Sequence, residues 1–150
     1  MSTEQIADRV AALEMAELAR TALNDYCLAL DTGDFTLLSR TFADDARLVV
    51  SIDTEITGRS AIVTTLQDAT ANKVEHRKHF VSNVAIRECS PDRASGDCYF
   101  LSMLSDPGEP VLAWGRFDFE VARTADGAEL ATLVFHIEQL PIAASAIAAR

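Results

Sequence analysis

Positive charge is scarce in this chain. Thirteen lysine and arginine residues face 23 aspartate and glutamate residues, which leaves a net charge of −10. The basic residues are scattered and form no patch, so we expect neither nucleic acid nor an anionic membrane surface as a partner. Long apolar runs are missing as well, since none approaches the ~20 residues that a membrane-spanning helix needs.

Motifs for cofactors and metals are also missing. The chain has no GxGxxG loop, no P-loop and no GxSxG sequence. His76 and His79 lie three residues apart, but no carboxylate stands at metal-ligand spacing from them. We therefore expect no nucleotide cofactor, no metal site and no serine-hydrolase chemistry.

Cysteine is rare, and the spacing of the cysteines fits no metal site. The chain has three cysteines, without a CxxC pair or any zinc-site spacing: Cys27, Cys89 and Cys98. We interpret them as reduced thiols of a cytoplasmic protein. The N-terminal stretch carries Glu4 and Asp8 and has no apolar core, so no signal peptide is predicted.

What is present is an ordinary globular composition. The chain has 150 residues, of which 49 % are hydrophobic and 24 % charged. This length is sufficient for a real core, and residues 1–150 are predicted to form one domain.

Helical periodicity fills the first part of the chain. Apolar residues recur at helical spacing over residues 2–31, Ser2 and Gln5 form a capping-box pattern, and Gly33 ends the helix. Two shorter helices are predicted over residues 35–42 and 61–72, the second capped by Ser60. Asp31 is unusual at a helix C-terminus, because its charge opposes the helix dipole at a cost of ~0.3–1 kcal/mol. We expect either solvent or a cationic group beside it.

Alternating periodicity dominates from His79 onward. Strands are predicted over residues 47–52 and 55–57, from 79, and over 97–104, 111–123 and 130–140, with Pro141 ending the last. Residues 106–108 and 125–127 carry turn signals. Helices followed by consecutive strands predict an α+β fold with a curved antiparallel sheet packed on the N-terminal helices. On the strand that begins at His79, alternation places Val81 and Asn83 on the histidine's face.

The last two strands carry few outward charges. One apolar set comprises Ala113, Phe117, Phe119 and Val121, and a second comprises Leu133, Phe135 and Ile137. We expect the two sets to lie on different faces, of which only one can line a pocket. The other would be covered by a second copy, which predicts a homodimer or a homotrimer.

Four phrases occur in an order and spacing that resemble a known family. They are Tyr-Cys-Leu-Ala-Leu-Asp-Thr-Gly-Asp-Phe (26–35), Leu-Ser-Arg-Thr-Phe-Ala-Asp-Asp-Ala (38–46), Ile-Thr-Gly-Arg-Ser-Ala-Ile (56–62) and His-Phe-Val-Ser-Asn-Val (79–84). Together they resemble the SnoaL-like family of the nuclear transport factor 2-like superfamily. The resemblance implies a cystatin-like α+β cone, a curved sheet on helices around one pocket.

The resemblance also implies a candidate site. Family members such as scytalone dehydratase and hexachlorocyclohexane dehydrochlorinase use an Asp–His pair, and the matching positions here are Asp31 and His79. A histidine partner would also account for the costly position of Asp31. The chain departs from the family in its last strand, where residues 129–136 replace an aromatic-basic phrase. His136 is therefore a candidate for stabilising an anion.

Each candidate has a plainer interpretation. Asp31 could be a solvated helix end and His79 a surface residue, unless an imidazole nitrogen lies within ~3.2 Å of the carboxylate. Tyr26 and Asn83 could polarise a substrate oxygen, or be a core aromatic and a strand residue. Trp114 could line the pocket or fill the core, and His136 could be a hydrogen-bonded core group.

The first functional hypothesis is a cofactor-independent lyase or isomerase that acts on a small apolar, ring-bearing molecule. His79 would take a proton, and Asp31 would orient the imidazole. The alternative is non-catalytic: a small-ligand-binding protein, or a structural subunit resembling the small subunits of ring-hydroxylating dioxygenases.

Overall fold

The computed structural model describes residues 1–51, 53–71, 76–105 and 110–143. Three helices are present in these ranges: α1 (Thr3–Thr32), α2 (Phe35–Thr41) and α3 (Arg59–Ala71). The strands are β1 (Phe42–Ser51), β2 (Thr54–Thr57), β3 (His76–Cys89), β4 (Arg93–Ser105), β5 (Pro110–Thr124) and β6 (Gly127–Ala143). The predicted turn at residues 106–108 and the predicted ends at 52 and 72 lie outside the described residues.

The six strands form one open, curved sheet in the order β2-β1-β6-β5-β4-β3. All neighbouring strands are antiparallel except β1 and β6, which run parallel. The α+β prediction is confirmed, with a mixed sheet in place of a wholly antiparallel one. The parallel pair is possible because α3 and four strands separate β1 from β6, far more chain than the crossover of a dozen residues that parallel neighbours need.

Helix α1 begins and ends within one residue of the prediction. The Ser2 hydroxyl accepts the Gln5 backbone N–H at 3.2 Å, and the Gln5 side chain accepts the Ser2 backbone N–H at 2.7 Å. These two bonds satisfy donors that the first helical turn leaves open. At the other end Gly33 adopts φ 68°, a left-handed conformation that costs glycine little.

Helix α1 packs across one face of the sheet, which we call the inner face; the opposite side is the outer face. Met15, Leu23 and Leu30 of the helix are buried in one cluster with Phe117 and Leu133 of the sheet. In the β5–β6 ladder Phe117 pairs with Phe135 and Phe119 with Leu133. Directly paired residues point to the same side of a sheet. The two apolar sets of β5 and β6 therefore share the inner face, so the expectation that they lie on different faces is wrong. The homodimer or homotrimer stays a prediction.

Several element boundaries also differ from the prediction. Phe42 begins β1 instead of ending α2, because its fully buried ring belongs to the core beneath the sheet. Ser60 lies inside α3, where the Gly58 carbonyl accepts the Ile62 N–H at 3.0 Å. The ladder of β6 continues past Pro141 to Ala143, since a proline at a ladder irregularity need not stop a strand.

Strand β3 contains a β-bulge that overrides the predicted alternation. The β3–β4 register shifts between Ser82 and Ala85, and Asn83 has φ 54°. Asparagine is among the few residues that adopt this left-handed conformation readily. Val81 packs against the core before the bulge, and Val84 packs against it after the bulge. Asn83 is exposed and does not share a regular face with His79.

Candidate active site

The C-terminal turn of α1 and the start of β3 bring Asp31 and His79 together, although they are 48 residues apart in the chain. The Asp31 Oδ1 atom lies 2.7 Å from His79 Nδ1. The backbone N–H of His79 also donates to the carboxylate oxygens, at 3.0 and 3.1 Å. The Asp31 side chain is 9 % exposed and the His79 side chain 16 %. The pair is therefore largely shielded from solvent, and the aspartate is held by both the ring and the backbone of its partner.

Arg77 supplies the cation that the position of Asp31 requires. Its guanidinium donates to the Leu30 carbonyl at 3.1 Å and to the Thr70 carbonyl at 3.2 Å. It thereby ties the last turns of α1 and α3 to β3, and its charge interacts with that of Asp31. Helix α1 has no basic residue in its own last turn. The sequence reasoning missed Arg77, although its position two residues before His79 was a usable signal, because side chains two apart on a strand share a face.

The surroundings keep the imidazole neutral near pH 7. Burial lowers the pKa of His79 below its usual 6.5, and the Arg77 charge acts in the same direction. The hydrogen bond and the charge of Asp31 oppose this shift without overcoming it. In a neutral ring facing a carboxylate, Nδ1 carries the proton, and this N–H donates a hydrogen bond to Asp31. Nε2 then keeps its lone pair, which is the requirement for a base.

Two buried thiols lie close together, and one of them, Cys27, is near Asp31. Burial raises the pKa of Cys27 to about 12, with smaller contributions from Asp31 and Cys98. Burial likewise raises the pKa of Cys98 to about 12. Both thiols stay protonated at neutral pH, so neither supplies a thiolate nucleophile.

Tyr26 lies in the core. It is 2 % exposed, and its ring makes edge-on contacts with Phe42 and Phe117 at centroid distances of 6.0 and 6.1 Å. Burial raises the pKa of Tyr26, with Cys27 adding to the shift, so the hydroxyl stays protonated. Within the described residues this hydroxyl makes no hydrogen bond. Its role as a donor to a substrate oxygen stays a prediction.

Trp114 and His136 lie on the outer face. Trp114 pairs with Leu101, whose other neighbour is the exposed Phe80. His136 pairs with Arg116, and its Nε2 lies 2.6 Å from Asp118 Oδ2. The structure thus joins Asp31 to His79 and does not bring Trp114, His136 or the exposed Asn83 to them. Any binding role of these three stays a prediction and concerns surfaces other than the one beside Asp31.

Two features are absent from the described ranges: a cluster of metal-binding side chains and a membrane-spanning helix. No group of three or more histidine, cysteine, aspartate or glutamate residues there is arranged to hold a metal ion. No helix in the same part of the chain combines the length and apolar character that a membrane span requires.

Comparison with known proteins assigns the protein to a family. Residues 11–133 match the sequence model of the SnoaL-like domain, and the chain belongs to this family. No match is found among curated proteins.

Solved structures share the fold closely. A candidate scytalone dehydratase from Novosphingobium aromaticivorans superimposes with a TM-score of 0.80 at 17 % identity, over 90 % of this chain and 91 % of that one. A hexachlorocyclohexane dehydrochlorinase from Novosphingobium barchaimii gives 0.77 at 16 % identity, over 91 % and 95 %. A nuclear transport factor 2-like protein with a cystatin-like fold from N. aromaticivorans gives 0.73 at 21 % identity, over 98 % and 96 %. At these identities the likeness shows the fold.

Proposed function

We propose that this SnoaL-like protein is a cofactor-independent lyase or isomerase that acts on a small apolar, ring-bearing molecule. The observation that carries the proposal is the largely shielded contact of 2.7 Å between Asp31 Oδ1 and His79 Nδ1. A neutral, oriented imidazole at a site of low exposure is what proton abstraction requires.

The chemistry follows from the two ring nitrogens. His79 Nε2 takes a proton from a substrate carbon, and the electrons of that C–H bond form a new double bond. In an elimination, the leaving group on the neighbouring carbon departs with its own bonding electrons. In an isomerisation, a proton returns at another carbon. Asp31 accepts the Nδ1–H throughout, which holds the tautomer and stabilises the imidazolium that forms.

The names of two structural relatives agree with an elimination. A dehydratase removes water and a dehydrochlorinase removes hydrogen chloride, and proteins bearing these names share the fold. Arg77 supports the same assignment, because a cation beside the pair favours the unprotonated imidazole on which a base depends.

The alternative is non-catalytic: a small-ligand-binding protein or a structural subunit. In a purely structural subunit a buried aspartate–histidine pair would serve only to join α1 to β3. Its replacement would then affect stability and nothing else.

A substrate panel distinguishes the catalytic proposal from the non-catalytic alternative. The purified protein is incubated with small ring compounds that carry hydroxyl or chloride beside an acidic C–H bond, and mass spectrometry follows loss of water or hydrogen chloride. A second arm in D₂O follows deuterium uptake at carbon, which detects proton abstraction without elimination. We expect turnover of at least one compound that His79→Ala abolishes and His136→Ala preserves. Turnover that survives His79→Ala, or a panel inert in both arms, would count against the proposed base.

A further inference from the structure

The register of the sheet places a serine side chain beside the imidazole of His79. In the β3–β4 ladder His79 pairs with Ser102. Two residues further along β3, Val81 packs against the core and pairs with the buried Phe100. Directly paired residues point to the same side of a sheet, and so do residues two apart on a strand. Ser102 therefore lies on the inner face, next to the candidate base and on the neighbouring strand.

The backbone of His79 shows how close the two side chains are. Strand β3 is the last strand of the sheet and has one free edge. The His79 backbone N–H donates to the Asp31 carboxylate, so it points to this free edge and away from β4. In an antiparallel ladder such a residue belongs to a non-hydrogen-bonded pair. The Cα atoms of this kind of pair are about 4.5 Å apart, and the side chains lie closer together than in the other kind.

The orientation of the imidazole decides which nitrogen faces Ser102. Nδ1 lies 2.7 Å from Asp31 Oδ1, on the side of the free edge. Nδ1 and Nε2 lie on opposite sides of the ring, so Nε2 is turned toward β4. The lone pair that proton abstraction uses therefore faces the part of the inner face that carries Ser102.

The Ser102 hydroxyl makes no hydrogen bond to the described part of the chain. Its neighbours on the inner face are Phe100 along β4 and Ala113 across on β5, and neither side chain has a polar atom. Ser102 is half-buried. Among the described side chains that are not exposed, Arg116 Nε alone is both fully enclosed and unpaired. The Ser102 oxygen therefore still borders accessible space, where it can bind a group of a ligand.

We propose that Ser102 binds the oxygen of a ring substituent next to the C–H bond that His79 attacks, which makes ring alcohols the substrates of this site in preference to ring chlorides. This inference rests on the proposed function, because it concerns the same site and the same base. A serine hydroxyl donates one hydrogen bond and accepts others, and an alcohol group does the same in return. A chloride substituent donates nothing and accepts weakly. It would leave the Ser102 hydroxyl unpaired, and an unpaired polar group in a shielded site disfavours binding.

With an alcohol the elimination is a loss of water. His79 Nε2 takes the proton from carbon, and the electrons of that C–H bond form the double bond. The C–O bond breaks with both electrons going to the oxygen, to which Ser102 donates a hydrogen bond. The proton on Nε2 then passes to this oxygen, and water leaves. Ser102 keeps its own proton throughout, and His79 returns to its neutral form.

The first test measures binding and needs no turnover. Cyclohexanol and chlorocyclohexane, which differ only in the substituent, are titrated into ¹⁵N-labelled protein, and NMR at the His79 ring gives a dissociation constant for each. Ser102→Ala should weaken cyclohexanol about tenfold relative to chlorocyclohexane, the usual effect of one hydrogen bond between uncharged groups. Ser82→Ala is the matched control, since Ser82 is an exposed serine of β3 that pairs with Tyr99 on the outer face. It should leave the ratio of the two constants unchanged.

The second test measures turnover on an alcohol and a chloride that share one ring and come from the substrate panel. Ser102→Ala should lower kcat/KM for the alcohol about tenfold or more relative to the chloride, and Ser82→Ala should not. Circular dichroism of both variants confirms that the chain is folded.

The two tests separate this inference from the proposed function. A ratio of dissociation constants that Ser102→Ala leaves unchanged, or no binding of cyclohexanol at the His79 ring, overturns the role of Ser102. If the panel is turned over while that ratio stays unchanged, only the role of Ser102 is lost and the proposed function stands. If the panel is inert while the ratio responds to Ser102→Ala, the role of Ser102 in binding stands and the proposed function is lost.

Discussion

Two aspartate–histidine pairs of almost equal length lie on opposite sides of one sheet. Asp31 Oδ1 is 2.7 Å from His79 Nδ1, and Asp118 Oδ2 is 2.6 Å from His136 Nε2. The first pair is 9 and 16 % exposed, whereas both members of the second are 44 % exposed. Distance alone therefore does not separate a candidate catalytic pair from a surface pair. Burial does, because it changes the proton affinity of the ring and excludes water from it.

The neighbouring arginines differ between the two pairs as well. Arg77 binds backbone carbonyls of α1 and α3, so it leaves the Asp31 carboxylate to His79. Arg116 instead lies beside Asp118 itself and shares that carboxylate with His136. Ion pairs of an exposed carboxylate contribute little to the stability of the fold, since solvent and salt screen them. The Asp31 carboxylate thus has one side-chain partner at hydrogen-bond distance, whereas the Asp118 carboxylate has two.

The largest expected effect is on turnover, from removal of His79. His79→Ala should lower kcat by about 10²–10⁴-fold, the usual contribution of a general base. His136→Ala should leave turnover near wild type. Steady-state kinetics on the substrate found in the panel measure both. Equal losses of turnover in the two variants would show that the inner pair is no more important for activity than the outer pair.

A smaller loss of turnover is expected from neutralising Asp31. Asp31→Asn keeps the shape but loses the charge that stabilises the imidazolium, and kcat should fall about 10²-fold. Asp118→Asn is the matched control and should retain activity. Thermal melting of both proteins separates kinetic from structural effects. A lower melting temperature with unchanged kcat for Asp31→Asn would assign the inner pair to stability alone.

The smallest expected effect is a shift in the pKa of His79 when a nearby arginine is replaced. Arg77→Gln removes a positive charge beside His79, so the pKa of His79 should rise, whereas Arg87→Gln on the outer face should leave it unchanged. Arg77→Lys keeps the charge and should restore the lower pKa. A pH titration of the His79 ring by NMR reads this directly. An unmoved pKa in Arg77→Gln would exclude Arg77 as a cause.

The lowered pKa of His79 makes the folded protein less stable as the pH falls. Because the folded-state pKa of His79 lies below 6.5, the unfolded chain binds this proton more readily than the folded chain does. The contribution to the free energy of unfolding is therefore complete above pH 6.5 and declines as pH falls from there through the folded-state pKa. The difference between wild type and His79→Ala, measured by denaturant unfolding across pH, isolates it.

Much of the fold was predictable from local patterns. The capping box at Ser2, the left-handed Gly33 and helical spacing predicted α1 to within one residue at each end. The four phrases that resemble the SnoaL-like family predicted the Asp31–His79 contact. Both succeed because caps and family phrases are short-range features of the chain.

Pairing between strands decided features of the fold that local sequence patterns could not predict. The bulge between Ser82 and Ala85 reverses the alternation of β3, which turns Asn83 outward and Val84 inward. A bulge depends on the partner strand, so the sequence of β3 by itself does not reveal it. The register of β5 with β6 likewise placed both apolar sets on the inner face, and it put His136 beside Asp118.

The sequence by itself determined the helices and most strands, the family and the two residues of the candidate dyad, because periodicity, capping and motif order are properties of neighbouring residues. Only the tertiary structure decided which face each strand residue occupies, that β1 runs parallel to β6, and that Arg77 joins the ends of α1 and α3 beside Asp31. Those facts depend on contacts between segments tens of residues apart. Packing of α1 against the sheet selects them, and no local pattern encodes them.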